Sequence, residues 1–202
     1  QHTKNGLNIN GQQETWMDTK HTPRSGFRIE IQSLRLSAYN FLFKLTNERK
    51  YQKLESELKA KVKQKFWNHP ILADGFNHHP DFTIRPNIFL AYYIYPKLLE
   101  QEEWKLCFNY ALRKLWLNWG GIATINIHHQ LFKETYSGEN PESYHNGDSW
   151  YFINNITAIS LHRLDKKLYK KYINKIIKSS TEDILYNGFI GYASELSSAK
   201  EQ

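Results

Sequence analysis

RIEIQSLRLSAYNFLFKLTN, residues 28–47, decides the fold class. Ile31, Leu34, Ala38, Phe41, Leu42 and Leu45 recur at helical intervals, which predicts one long helix with that stripe as its apolar face. Glu30 falls in the first turn, where a carboxylate suits the helix dipole. Further along, Leu54, Leu58, Val62 and Phe66 repeat with Lys and Glu on the opposite side, predicting a second helix over 48–66 that Trp67-Asn68-His69-Pro70 closes. Pro86 opens a third helix, at the turn where proline is tolerated; it carries the apolar run 88–94 and breaks near Pro96. A fourth covers 100–117 and gives way to Trp119-Gly120-Gly121, a fifth covers 148–164 and a sixth 166–185. Residues 1–24 read as mostly irregular, with Gly6, Gly11 and Pro23 as breaks. No alternating set of strands competes, although 68–84, with the turn signal Asp74-Gly75, holds short apolar stretches suited to a small hairpin. The expectation is an all-α chain, a single domain over residues 1–202, built from helix pairs. Long connections fall on alternate links, and long loops inside a compact domain are usually functional. Pairs packed side by side would bring those loops out on one face and form half of a closed ring of helical hairpins.

Composition narrows the function. With 40% hydrophobic and 23% charged residues the chain reads as a soluble globular protein, and the run 88–94 is too short for a membrane span. Residues 1–13 are polar and lack an apolar signal core, and the lone Cys107 can form no internal disulfide. Both point to a reducing, cytoplasmic setting. The net charge of +7 comes largely from lysines in 50–65 and 166–178, where they alternate with Leu, Ile and Tyr as the solvated face of amphipathic helices. No nucleic-acid module accompanies them, so neither nucleic acid nor membrane is expected as a partner. The doublets His78-His79 and His128-His129 lack metal-ligand spacing, and no metal is expected. Aromatic residues make up 15% of the chain, and Trp16, Trp67, Trp119, Tyr136, Tyr144 and Trp150 fall in loops or at helix ends. Such rings suit the alternating CH and OH surface of a pyranose, or simply a core rich in aromatics.

Four stretches, in order, carry a resemblance. They are Thr15-Trp16-Met17-Asp18 followed by Thr22-Pro23-Arg24, Gly26 and Ile29-Glu30-Ile31; Ile84-Arg85-Pro86-Asn87; Tyr136-Ser137-Gly138 followed by Tyr144-His145-Asn146-Gly147 and Trp150; and Gly191-Tyr192-Ala193-Ser194-Glu195. With these motifs and the helices between them, the chain resembles the C-terminal glucosidase domain of glycogen debranching enzymes, the amylo-α-1,6-glucosidase domain of archaeal and bacterial type. The resemblance implies an (α/α)6 barrel, incomplete in this chain, which would carry its C-terminal half. It implies inverting hydrolysis of α-1,6 branch linkages with no cofactor, an α-glucan (glycogen or limit dextrin) as substrate, and the N-terminal part of the barrel, possibly on another chain, as partner. The loop after Asp18 is shorter than the family's, and Arg35 stands where the family usually has an aromatic residue, so substrate range is the property most affected.

Inverting glycosidases set two carboxyl groups roughly 6.5 to 9.5 Å apart across the sugar, with room for one water. By the resemblance Asp18 is the general acid and Glu195 the general base, while Trp16, Glu30, Arg85, Asn87, Tyr144, His145 and Trp150 line the sugar site. Packing of Trp16 beside Asp18 would keep that acid protonated, and the Gly-flanked Glu195 loop would leave the base ionised. Each role has a plainer counterpart. Asp18 suits a turn, Glu30 the helix dipole, Arg85 an ion pair with Asp81 or Asp18, Trp150 the core and Glu195 a solvated loop. A related exo-acting hydrolase of glucoamylase or trehalase type, or a glucan-binding module without turnover, are the alternatives.

Overall fold

The computed structural model describes residues 3–4, 6–136, 142–187 and 189–202; Ser137 and Gly138 of the third motif lie outside them. The chain opens with a short antiparallel pair, β1 (Thr3–Lys4) with β2 (Leu7–Asn8). β3 (Phe27–Arg28) then leads into α1 (Ile29–Thr46) and α2 (Arg49–Phe66). Between α2 and the next helix lie two small hairpins, β4 (Trp67–Asn68) with β5 (Ile71–Leu72) and β6 (Gly75–Phe76) with β7 (Pro80–Asp81). β3 pairs with β6, so the 68–84 connection folds back onto the start of α1. Gly75 lies against the Arg28 guanidinium, where a Cβ would overlap it. α3 (Asn87–Ile94) and α4 (Gln101–Leu115) follow, then β8 (Ser149–Trp150), α5 (Tyr151–Asp165), α6 (Lys170–Tyr186) and β9 (Leu196–Ser197), the last paired with β8.

Among the described residues, the six helices make three hairpins, with α1, α3 and α5 packed side by side as an inner row and α2, α4 and α6 outside. This is the expected all-α architecture, part of an (α/α)6 barrel. Its core runs from Leu58, Val62 and Phe66 on α2 through Phe89, Tyr92, Trp104 and Phe108 to Leu161, Tyr169 and Ile176. Phe89 and Phe108 meet edge to face at 4.8 Å, and Tyr92 meets Trp104 the same way at 5.2 Å. Cys107 is buried in that core, and burial pushes its thiol up to about 12, which leaves it an unreactive packing residue. Among the described residues no helix is long and apolar enough to cross a membrane.

One expectation inverts. The apolar stripe of α1 faces solvent, with Leu34 53%, Phe41 63% and Leu45 69% exposed. The buried side is Ile29, Glu30, Gln32, Ser33 and Leu36. Its polar members are all engaged: Gln32 accepts from Asn8 N at 2.9 Å and donates to Asn8 O at 2.7 Å, Ser33 bonds the Ile29 carbonyl, and Glu30 pairs with Arg24. Hydrogen-bonded polar groups can be buried at little cost, so the interior side of this helix need not be its apolar one.

Candidate active site

α1, α3 and α5 pack side by side, and the segments that lead into them meet: Trp16 bonds Asn87, and Arg85 bonds His145 and Asn146. The segment after α6 ends there too. Among the described residues, those segments carry the residues of all four sequence motifs.

A buried charge network anchors the first two. Arg24 holds Asp74 with two parallel hydrogen bonds, Nε to Oδ2 at 2.9 Å and Nη2 to Oδ1 at 3.0 Å. It also grips both oxygens of Glu30, at 2.7 and 3.1 Å, and Thr15 Oγ1 at 2.9 Å. Arg28 Nη1 adds contacts to Asp74 at 3.2 Å and Asp81 at 2.8 Å. Burial opposes ionisation of Asp74, but the charge and hydrogen bonds of Arg24, with the charges of Arg85 and Arg28, hold its carboxyl below the usual range. Burial likewise opposes the charge on Arg24, and Asp74 and Glu30 overcome it and raise its pKa. Asp74 also accepts from Asn87 Nδ2 at 2.6 Å, and Asn87 Oδ1 accepts from Trp16 Nε1 at 2.7 Å. The indole is thereby oriented through two carboxamide bonds from a locked ion cluster.

Arg85 departs from expectation. It pairs with neither Asp81 nor Asp18, and donates instead to the main-chain oxygens of Thr124 (3.1 Å) and His145 (2.7 Å) and to Asn146 Oδ1 (3.1 Å). One buried guanidinium thus ties the segment before α3 to two points on the connection between α4 and β8. Burial, followed by the charges of Arg24 and Arg28, lowers its pKa to about 10, with Asp74 and Asp81 acting the other way.

Beyond this network the rings form a box. Trp16 meets His145, Trp150 and Phe152 edge-on at 5.4, 5.7 and 5.1 Å. His145 stacks on Trp150 at 5.2 Å and 18°, and Tyr144 closes the side at 4.6 Å from Trp150. Neither ring nitrogen of the fully buried His145 has a partner among the described residues, and burial with the charges of Arg85 and Arg24 drives it down to about 3. Its ring packs as a plate between Trp150 and Tyr144.

Glu195 reaches the box through β8 and β9. Trp150 is opposite Leu196, Tyr151 N donates to the Glu195 carbonyl at 3.2 Å, and Asp183 on α6 takes both Ser194 N (2.7 Å) and Ser194 Oγ (2.8 Å). The Glu195 side chain is exposed and accepts from Tyr144 Oη through Oε2 at 3.0 Å. Asp18 is exposed as well, its main-chain carbonyl taken by Gln13 Nε2 at 2.8 Å. The neighbouring Trp16 indole is directed edge-on into the ring box. Both acids act on Tyr144: burial, the hydrogen bond and charge of Glu195, then Tyr136 and Asp18, push the phenol up to about 12.

Of the residues singled out from sequence, Trp16, Asp18, Tyr144 and Glu195 present surface at this end, while Glu30, Arg85, Asn87, His145 and Trp150 are buried and engaged behind them. Glu30 is a structural ion-pair partner here, with both oxygens spent on Arg24. Sequence reasoning gave no role to Asp74, Arg28, Phe152 or Asp183. Asp183 sits near the end of a lysine-rich helix, and no local pattern separates it from a solvated carboxylate.

Residues 2–202 match the family described as amylo-alpha-1,6-glucosidase. No curated protein sequence matches the chain. Among solved structures it is similar to the neutral trehalase of Saccharomyces cerevisiae, with TM-score 0.62 and 14% identity over 87% of this chain and 34% of that one. It is also similar to an uncharacterized conserved protein of Thermus thermophilus, with TM-score 0.59 and 10% identity over 86% of this chain and 43% of that one. The chain therefore spans between a third and a half of the proteins whose fold it shares.

Proposed function

The chain belongs to the amylo-alpha-1,6-glucosidase family, and from this we propose that it carries the acid and base of an inverting glycoside hydrolase acting on α-1,6 branch linkages of glycogen-like glucans. Asp18 protonates the glycosidic oxygen as the bond to C1 breaks. Glu195 takes a proton from a water that attacks C1 from the other side, and the glucose leaves as the β-anomer. Trp16 and Tyr144 offer ring surface to the sugar. No step calls for a metal or cofactor. The remaining hairpins of the barrel, on this chain's own continuation or on another chain, complete the pocket around a cytoplasmic glucan.

The observation that supports this reading is that one ring box joins the two acid-bearing loops: Trp16 packs against Trp150 at 5.7 Å, Trp150 lies opposite Leu196, and Glu195 accepts from Tyr144 at 3.0 Å. In the assembled barrel, Asp18→Asn and Glu195→Gln should each lower kcat on a branched glucan by about 10²–10⁴-fold with glucan binding retained. Proton NMR of the first product should show β-glucose. Undiminished turnover by the Asp18 variant removes that residue from the mechanism. The similarity to a neutral trehalase favours one second reading, an exo-acting hydrolase for another α-linked glucoside. Rates on isomaltose-type, maltose-type and trehalose substrates separate the two.

A further inference from the structure

We propose that Tyr144 is a positioning residue for the base: its phenol fixes Oε2 of Glu195, so that Oε1 is the oxygen that receives the proton of the attacking water. This deepens the proposed reaction and rests on Glu195 being its base.

Glu195 lies on an exposed loop, and its only side-chain partner among the described residues is Tyr144 Oη, 3.0 Å from Oε2. An untethered glutamate on a surface loop samples several staggered rotamers, whereas proton abstraction needs the acceptor held within hydrogen-bond reach of the water. One bond from a fixed donor removes that freedom, provided the donor itself cannot move. Tyr144 meets that condition. Its ring is wedged edge-on against Trp150 at 4.6 Å and His145 at 4.9 Å, and its carbonyl accepts from Trp150 Nε1 at 2.7 Å. The backbone on the other side is held by the β8–β9 pairing and by Asp183 on Ser194. Both ends of the Tyr144–Glu195 bond are therefore anchored independently, and the bond sets the remaining side-chain torsions. With its pKa pushed up to about 12, the phenol stays a donor across the working range of the reaction.

A wall residue for the sugar would need only its ring face, which phenylalanine keeps. The test uses the complete barrel with Tyr144→Phe, Tyr144→Leu, Glu195→Gln and Asp18→Asn, on a branched glucan and on α-glucosyl fluoride. Fluoride departs without a proton, so its hydrolysis can dispense with the acid but still needs the base. Tyr144→Phe should lower kcat roughly 10–100-fold on both substrates with KM held within about two-fold, while Asp18→Asn keeps most of its fluoride turnover. Tyr144→Leu, which loses the ring as well, should add a rise in KM. Unchanged kcat in a folded Tyr144→Phe enzyme, with Glu195→Gln inactive, overturns the positioning role alone. Fluoride turnover surviving in Glu195→Gln overturns the base assignment and this inference with it.

Discussion

Asp148 is fully buried, and only one of its carboxyl oxygens is engaged: Ser143 Oγ donates to Oδ2 at 2.8 Å, while Oδ1 has no partner among the described residues. Burial raises its pKa to about 6, with the Ser143 bond pulling the other way. An unfolded aspartate titrates near 3.9. Between about pH 4 and pH 6 the folded chain thus keeps a proton that the unfolded chain has lost, and stability falls as pH rises through that window. Asp148→Asn cannot ionise. Its stability relative to the parent should improve by about 2 kcal/mol between pH 4 and pH 7.5, read from urea unfolding at the two values; an equal difference at both pH values would contradict the shift. Asp74 has the opposite sign, its folded carboxyl being depressed, so its contribution is complete above the unfolded value and is lost in acid. At this scale the sequence was only partly informative. The motif acids Asp18 and Glu195 could be named from their neighbours in the chain. Asp74 could not, because Asp74-Gly75 looks like a turn and its partner Arg24 is fifty positions away. Ion pairs of that separation leave no local spacing to read.

For the elements, the helix limits were legible within a few residues. Residues 28–47 became Ile29–Thr46 and 48–66 became Arg49–Phe66. The sixth helix starts later than expected, at Lys170, because Asp165 Oδ1 caps a turn over Lys167 and Leu168 instead. The hairpin expected within 68–84 is present as the β4–β5 and β6–β7 pairs, whereas the two-residue strands elsewhere escaped notice, since alternation needs more than two positions to show. What periodicity could not give was the side of α1 that packs. A repeat fixes which residues share a stripe and says nothing of where the neighbouring element lies. Leu34, Phe41 and Leu45 consequently form an open apolar ridge along the first inner helix. Replacing Leu34 and Phe41 by Gln should change the unfolding free energy of this chain by no more than about 0.5 kcal/mol per site. The same double variant should show less self-association in sedimentation velocity at high concentration. A large loss of stability would mean that the ridge is packed after all.

Across the whole molecule, the hairpin order puts the motif-bearing loops at one end while the helices carry the stability. Phe89, Trp104, Phe108 and Tyr169 belong to the helical core, and the loop end is held by charges and rings. Met17 lies between these regimes. It is fully buried beside the loop residues Trp16 and Asp18, and its sulfur takes long, weak hydrogen bonds from Arg85 Nη1 at 3.9 Å and Asn87 Nδ2 at 3.7 Å. Peroxide can reach that thioether only when the Trp16 loop lifts away, so formation of the sulfoxide works as a clock for local opening. Followed by mass spectrometry in low denaturant, the oxidation rate should exceed that expected from global unfolding, and binding of a glucan across Trp16 should slow it. Since Met17 is the only methionine in the chain, each added oxygen on that side chain type reports this one site.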